Sequence, residues 1–264
     1  MKHIVTIIDK EWSELFKNRM IISVTLLLPL IFTALPLFML SQTSSTVFAD
    51  TGLESNGLPA NFLAVCQGMT AGECTQVYIM NEFLLLFMLM PLIIPITIAA
   101  YSVVGEKTTR SLEPLLATPI STAELLAGKT LAAVIPGILA TYLAFGVFNL
   151  GMLILKISPA VIGYVDSPTW LLGIIVLGPI MAVIAVIFAL YVSSRVNDPR
   201  AAEQISSVVI LPLMTVLFLQ LAGVVVINVP FMLIAIAIAL GLAFAALQLG
   251  TVIFDRENIL TRWK

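Results

Sequence analysis

Residues 105–129 read GEKTTRSLEPLLATPISTAELLAGK. This is the longest run rich in charge and turn formers between two long apolar segments. Ser111 is placed to cap a short helix that opens with Leu112, Glu113 and Pro114. Proline is tolerated in a first turn, where its missing N–H has no intrahelical partner, and Glu113 sits where the helix dipole favours an anion. Leu112, Leu115 and Leu116 gather into an apolar patch. Thr118-Pro119 ends the helix, because the residue before proline avoids the helical region. Ser121 to Glu124, S-T-A-E, is a capping box that starts the next helix. The run therefore reads helix, break, helix. A short, capped, amphipathic helix of this kind fits a groove on a partner; the competing physical reading is a helix lying on a lipid surface.

The surroundings make this water-loving stretch an exception. The chain has 264 residues, of which 60% are hydrophobic and 11% charged, and its mean hydropathy is +1.09. Soluble domains carry roughly 25% charged residues. We expect an all-α polytopic membrane protein forming a single domain over 1–264. Six uncharged segments are each long enough to cross the roughly 30 Å of hydrocarbon as a helix: 20–40, 83–104, 130–155, 170–192, 205–227 and 231–254. Only Asn228, Val229 and Pro230 separate the last two, which predicts a tight hairpin. Several spans contain proline (Pro29, Pro36, Pro91, Pro95, Pro136, Pro179 and Pro212), which removes a helix hydrogen bond and favours a kink.

Ahead of the spans, residues 1–19 are amphipathic. Ile4, Val5, Ile8, Trp12, Leu15 and Phe16 share one side, and Lys2, Asp9, Lys10, Glu11, Glu14 and Lys17 take most of the rest. The pattern predicts a helix in the headgroup plane with its apolar face in lipid; the alternative is a helix packed on protein. Orientation follows from the basic residues. Lys2, Lys10, Lys17, Arg19, Lys107, Arg110, Lys129, Arg195, Arg200, Arg256, Arg262 and Lys264 fall on one side and Lys156 alone on the other. The crowded side, with both termini, is expected to be cytoplasmic. Loop 41–82 is then external; it has no Lys or Arg, and its Cys66 and Cys74 are a candidate disulfide, the alternative being two free thiols.

Several chemistries are excluded. A net charge of −2 without basic clusters speaks against nucleic acid. One histidine and two cysteines do not make a typical structural zinc site. Gly128-Lys129-Thr130 resembles the end of a phosphate-binding loop, but the position that needs the first glycine is Ala123. Lys129 reads instead as an anchor snorkelling at a helix start. No catalytic constellation or bound cofactor is expected. No ionisable residue falls within the six segments, which argues against a proton-driven carrier. Glu82, at the outer edge of the second, reads as an outward-facing interfacial acid. The polar residues Ser206, Ser207, Thr215 and Gln220 make the fifth span the candidate lining of a pathway, or else they join helices.

On the residues quoted for 105–129, and on the order of an N-terminal amphipathic helix, six spans and a loop helix between the second and third, the sequence resembles type-2 ABC transporter permeases, particularly the bacterial and archaeal sodium- and drug-export-like group. The resemblance implies a membrane subunit of an exporter in a prokaryotic plasma membrane. It implies pairing with a second permease copy or paralogue and with two ATP-binding subunits, which would hold ATP and magnesium. It further implies that Glu106, Lys107, Arg110, Leu112, Glu113, Leu115 and Leu116 face the ATPase as a coupling helix. Residues 193–204, with Arg195, Asp198 and Arg200, would make a second contact. A secondary carrier or channel, and a non-transporting partner of an ATPase, are the rival readings.

Overall fold

The computed structural model describes residues 2–44, 62, 65–108 and 121–253. All regular structure among them is helical. Helix α1 (Lys2–Leu15) precedes α2 (Arg19–Ser44), the first span. The second span is α3 (Ala71–Phe87) continued by α4 (Met90–Thr108), and the third is α5 (Thr122–Ile154). The fourth is built from α6 (Pro159–Val165), α7 (Pro168–Leu171), a π-helical stretch (Leu172–Leu177) and α8 (Gly178–Arg195). The fifth is α9 (Pro199–Ser206), a 3-10 turn (Ser207–Ile210) and α10 (Leu211–Leu221), and the sixth is α11 (Val229–Ile253). Six helical stretches are long and apolar enough to cross a membrane. The expected all-α, six-span architecture is therefore present.

The second span is the centre. It is almost entirely enclosed, whereas the first, fifth and sixth keep most of their surface outside the bundle. α4 packs on α8 and α5. Near its break from α3, Phe87 meets Phe145, Phe148 and Trp170 in an aromatic cluster whose ring centroids lie 5.3 to 6.4 Å apart. Close backbone approach relies on missing side chains. A Cβ on Gly137 of α5 would lie 2.4 Å from Cγ of Pro95 in α4, and one on Gly151 would lie 2.4 Å from Leu37 of α2.

Three prolines stand where the helices are irregular. Pro91 follows the Met88–Leu89 break, Pro179 follows the π-helical stretch, and Pro212 follows the 3-10 turn. A proline cannot donate to the carbonyl four residues before it. For Pro179 that carbonyl is Ile175, and the Tyr142 hydroxyl of the neighbouring span donates to it at 3.1 Å. Pro29, Pro36, Pro95 and Pro136 remain inside continuous helices.

Helix starts are set by capping boxes. The S-T-A-E box forms: Ser121 Oγ accepts from Glu124 N at 3.2 Å, and Glu124 Oε2 accepts from Ser121 N at 3.1 Å. As the box predicts, α5 starts at Thr122, ahead of the uncharged segment that begins at 130. A second box, Thr70 with Glu73, starts α3 at Ala71, twelve residues before the expected 83. Glu82 and Lys129 therefore lie within the helices that carry the second and third uncharged segments, rather than at their first residues. The last connection is also longer than expected, covering 222–228, with Asn228 Oδ1 accepting from Phe231 N at 3.0 Å. α10 ends on Gly223 at φ +70°, a left-handed conformation that glycine adopts freely.

One side of the N-terminal helix packs on the bundle. Its buried stripe is Ile7, Glu11 and Leu15, one residue per turn, and it lies against α5. Val5 and Phe16, assigned to the apolar face, are exposed, and Glu11, assigned to the polar one, is buried. At the opposite end of the bundle Cys66 and Cys74 form a disulfide, with Cα atoms 5.2 Å apart, at the start of α3.

The close α4–α5 approach makes a prediction. Gly137→Val should lower stability by about 1–3 kcal/mol, because the added carbons meet a rigid proline ring. Gly146→Ala in the same helix, where a Cβ has open space, should be neutral or stabilising. Thermal unfolding of the two variants in one detergent is the measurement.

Candidate functional site

Where α1, α4 and α5 meet, four ionisable side chains are drawn together. α5 begins at Thr122, so Lys129 stands two turns inside it and faces inward. Its Nζ lies 2.7 Å from Glu11 Oε1 of α1 and 2.8 Å from Glu106 Oε2 of α4, and it donates to Ser102 Oγ at 2.9 Å. Three acceptors match the three donors of an ammonium. Lys10 of α1 pairs with the other oxygen of Glu106 and lies 3.8 Å from Glu14. Lys129, Glu11 and Glu106 are each under 5% exposed. At the centre, two carboxylates and two ammoniums balance.

The surrounding contacts aim these groups. Ser102 and Glu106 are one turn apart on α4 and face the same way. Gly128 leaves room for α1: a Cβ there would lie 2.9 Å from Cγ2 of Ile7. Trp12 Nε1 donates to the Ala132 carbonyl at 3.0 Å, pinning α1 one turn further along α5. The Gly-Lys-Thr triplet thus has a structural reading, with Gly128 admitting Ile7 and Lys129 forming the ion pairs. The expectation of Lys129 as a snorkelling anchor is corrected. Its ammonium turns into the protein, where two carboxylates meet it.

Burial and pairing compete here. Burial alone would raise the Glu11 carboxyl, but the charge and hydrogen bond of Lys129 hold it below the usual glutamate range. Burial pulls the Lys10 ammonium down, yet its hydrogen bond and charge interaction with Glu106 hold it above the usual lysine range. The Glu11 contribution is present above the ordinary glutamate pKa and fades as pH falls through the depressed folded value. The Lys10 contribution is present below the ordinary lysine pKa and fades as pH rises through the elevated one. Across neutral pH the cluster stays ionised at both groups.

Glu106 and Lys129 flank the stretch read as a docking helix. Arg110, Leu112, Glu113, Leu115 and Leu116 lie outside the described residues, as does the Lys107 side chain. Glu106, expected to face a partner, instead turns inward, with its carboxylate engaged by Lys10 and Lys129. The second set of expected contacts is placed differently. Arg195, Asp198 and Arg200 are all exposed. Asp198 caps α9, accepting from Arg200 N at 3.0 Å. The Arg195 guanidinium lies over the Tyr191 ring at 5.4 Å. Ala202 of α9 packs with Ala100 and Val104 of α4 and Val192 of α8. This connection therefore lies at the same end of the bundle as Glu106.

The candidate pathway residues divide. Ser206 Oγ donates to the Ala202 carbonyl of its own helix at 2.6 Å, and Ser207 Oγ to Gln204 at 2.6 Å. Thr215 Oγ1 donates to the Leu211 carbonyl at 2.9 Å on an exposed face. Gln220 alone among the four turns its side chain into a cavity, beside Glu82. No group of His, Cys, Asp and Glu among the described residues is arranged to hold a metal.

Removing one member should expose the cost of the others. Lys129→Met is expected to destabilise the chain by about 3–5 kcal/mol, since two buried carboxylates lose their shared partner. Adding Glu11→Gln should recover part of that loss, as read by denaturation of the single and double variants. Separately, amide hydrogen exchange over residues 2–15 should stay slow from neutral pH down through the ordinary glutamate range. Its protection, taken relative to the intrinsic exchange rate at each pH, should then fall as Glu11 takes up its proton at lower pH.

A family model described as ABC-2 family transporter protein matches residues 5–229. No curated protein matches the chain.

Proposed function

The chain belongs to the ABC-2 family of transporter proteins, and from that membership we propose how this multi-pass membrane subunit of an ABC transporter works. ATP is bound and hydrolysed with magnesium on separate subunits, two of them, and the membrane part is completed by a second copy or a paralogue. The end of the bundle holding α1, the 105–121 connection and the α8–α9 turn faces the cytoplasm of a prokaryotic cell. The direction of transport is outward.

The observation that carries this reading is the Lys129 cluster. α4 ends at Thr108, two residues after Glu106, and α5 starts at Thr122, seven residues before Lys129, so the loop 109–120 joins two helices that the cluster also joins. A push on that loop reaches both helices at their cytoplasmic ends. Because Lys129 bridges α4, α5 and α1, the three respond as one body rather than sliding past each other. Packed elements joined this way undergo rigid-body motion between discrete states. The exposed Arg195, Asp198 and Arg200 at the same end supply a second contact. α9 links it back to the central span, since Thr97 Oγ1 of α4 donates to Glu203 Oε1 at 2.6 Å.

In this mechanism the chain supplies no chemistry. It receives work at its loop and turns it into a change of access across the bundle. Replacing both Leu115 and Leu116 with Asp should abolish co-purification with the ATPase subunits and permease-stimulated ATP hydrolysis, while thermal unfolding of the membrane subunit stays unchanged. Survival of both co-purification and stimulation would overturn the docking role.

A further inference from the structure

The short helix α9, which follows the exposed turn between Arg195 and Arg200, is attached to the bundle differently from α1. It packs on α4 and α8. Ala202 sits in a small apolar group with Ala100 and Val104 of α4 and Val192 of α8. Glu203, next to it, accepts from the Thr97 hydroxyl of the central span at 2.6 Å. Thr97 lies nine residues before Glu106 along α4, roughly 13 Å deeper in the bundle at 1.5 Å per residue. α9 thus carries a half-buried carboxylate beyond the level of the Lys129 cluster. None of the ion pairs among the described residues includes Glu203. A neutral hydroxyl receives it there instead.

This contact can part without stranding a polar group. A threonine hydroxyl has one proton to donate. That of Thr97 has two acceptors in reach, Glu203 Oε1 at 2.6 Å and the Ile93 carbonyl of its own helix at 3.1 Å. When α9 leaves, Thr97 falls back on Ile93, a bond that threonines within helices can make. Glu203 shares α9 with the exposed Arg200 and Gln204, so its carboxylate returns to water with them. Ala202 uncovers only the small side chains of Ala100, Val104 and Val192. The Lys129 cluster has no such freedom, because parting Lys129 from Glu11 and Glu106 would leave buried charges unpaired.

The chain beyond α9 is built to bend. It passes into the 3-10 turn Ser207–Ile210, none of whose residues is buried. Pro212 follows, and withholds the donor that the Val208 carbonyl would meet in a regular helix. In α10 only Leu213 and Gln220 are buried. Helices bend where proline interrupts the bond ladder, and hinges are a few residues at the end of an element that absorb the change.

We propose that α9 is a detachable element, held on the central span by Glu203 as a positioning residue and pivoting at 207–210 when released. Its place in the transport cycle rests on the reading of 193–204 as a second ATPase contact. Docked, α9 passes movement of that contact to α4 at Thr97, inward of the point where α1 and α5 grip it. Released, it leaves α4 to the Lys129 cluster alone. The bundle then holds one permanent and one releasable connection at its loop end.

The test is amide hydrogen exchange of the full chain in nanodiscs, first without an ATPase. Thr97→Val and Glu203→Ala each remove the bond. Each is expected to speed exchange over 200–206 by about tenfold or more, as loss of a hydrogen bond to a charged group implies, while 2–15 and 122–135 keep their protection. The double variant should add nothing to either single one. Glu203→Gln keeps an acceptor for Thr97 and should restore part of the protection, since a neutral bond is roughly half as strong. Unchanged exchange over 200–206 in the folded single variants, additive effects in the double one, or a Glu203→Gln variant as fast as Glu203→Ala would overturn the latch. If Thr97→Val does not fold, the two Glu203 variants carry the comparison. The second measurement uses the unsubstituted chain assembled with its ATPase subunits, with and without ATP. Exchange over 200–206 should change severalfold between the two conditions and that over 2–15 should not. Equal exchange over 200–206 would show that α9 stays docked, and would overturn its release. These outcomes concern α9 alone, whereas docking of the ATPase is read separately by the Leu115 and Leu116 variant.

Discussion

The structure turns on the placement of one ammonium, that of Lys129, between two buried carboxylates on two other helices. Taking these charges out of water is costly, and only near-complete pairing offsets it. The arrangement therefore tolerates little displacement. α1 is held to α5 by Glu11, by the Trp12–Ala132 bond and by the space above Gly128. α4 is held to α5 by Glu106 and, deeper in the bundle, by the Pro95–Gly137 approach. A segment that precedes the first span thus becomes part of the foot of the third.

The two ends of the bundle use ionisable groups differently. At the loop end, charges are matched and the helices are joined. At the disulfide end, Glu82, Asn81 and Gln220 line a small cavity, with Asn81 Oδ1 accepting from the Tyr164 hydroxyl. The central second span runs between them, from the Glu82 cavity through the aromatic cluster at Phe87 to Glu106. This one helix therefore connects the two ends of the bundle. Its break at Met88–Leu89, just before Pro91, lies between the two ends.

Much of this was legible in the sequence because membrane helices are set by simple constraints. The number of spans followed from apolar length, and the start of the third from a capping box. The same rule, applied to Thr70-Ala-Gly-Glu73, would have started the second span at Ala71 and moved Glu82 inside it. The box at Ser121 already implied that Lys129 lies two turns into the third helix, although the uncharged segment was drawn only from 130. Both boundaries came from treating a charged residue as the edge of a span. The N-terminal helix was harder. Its buried stripe contains a glutamate, and a pattern search that follows apolar residues rotates the face away from Glu11. Only the partner 118 positions later in the chain explains that glutamate, and pairing at such a distance leaves no local periodicity.

The central claim is that α1 moves with the feet of the second and third spans as one body. Cysteines at positions 7 and 128 test it directly, because an ideal Cβ at Gly128 lies 3.0 Å from that of Ile7, so that a shift of about half an ångström reaches the roughly 3.5 to 4.5 Å that a disulfide spans. The measurement is ATP hydrolysis by the assembled transporter in liposomes, with the engineered bridge formed and then reduced. The account predicts the same permease-stimulated rate in both states, because a bridge within one rigid body restrains no motion. A rate that collapses when the bridge forms and returns on reduction would show that α1 must part from the third span, and would contradict it.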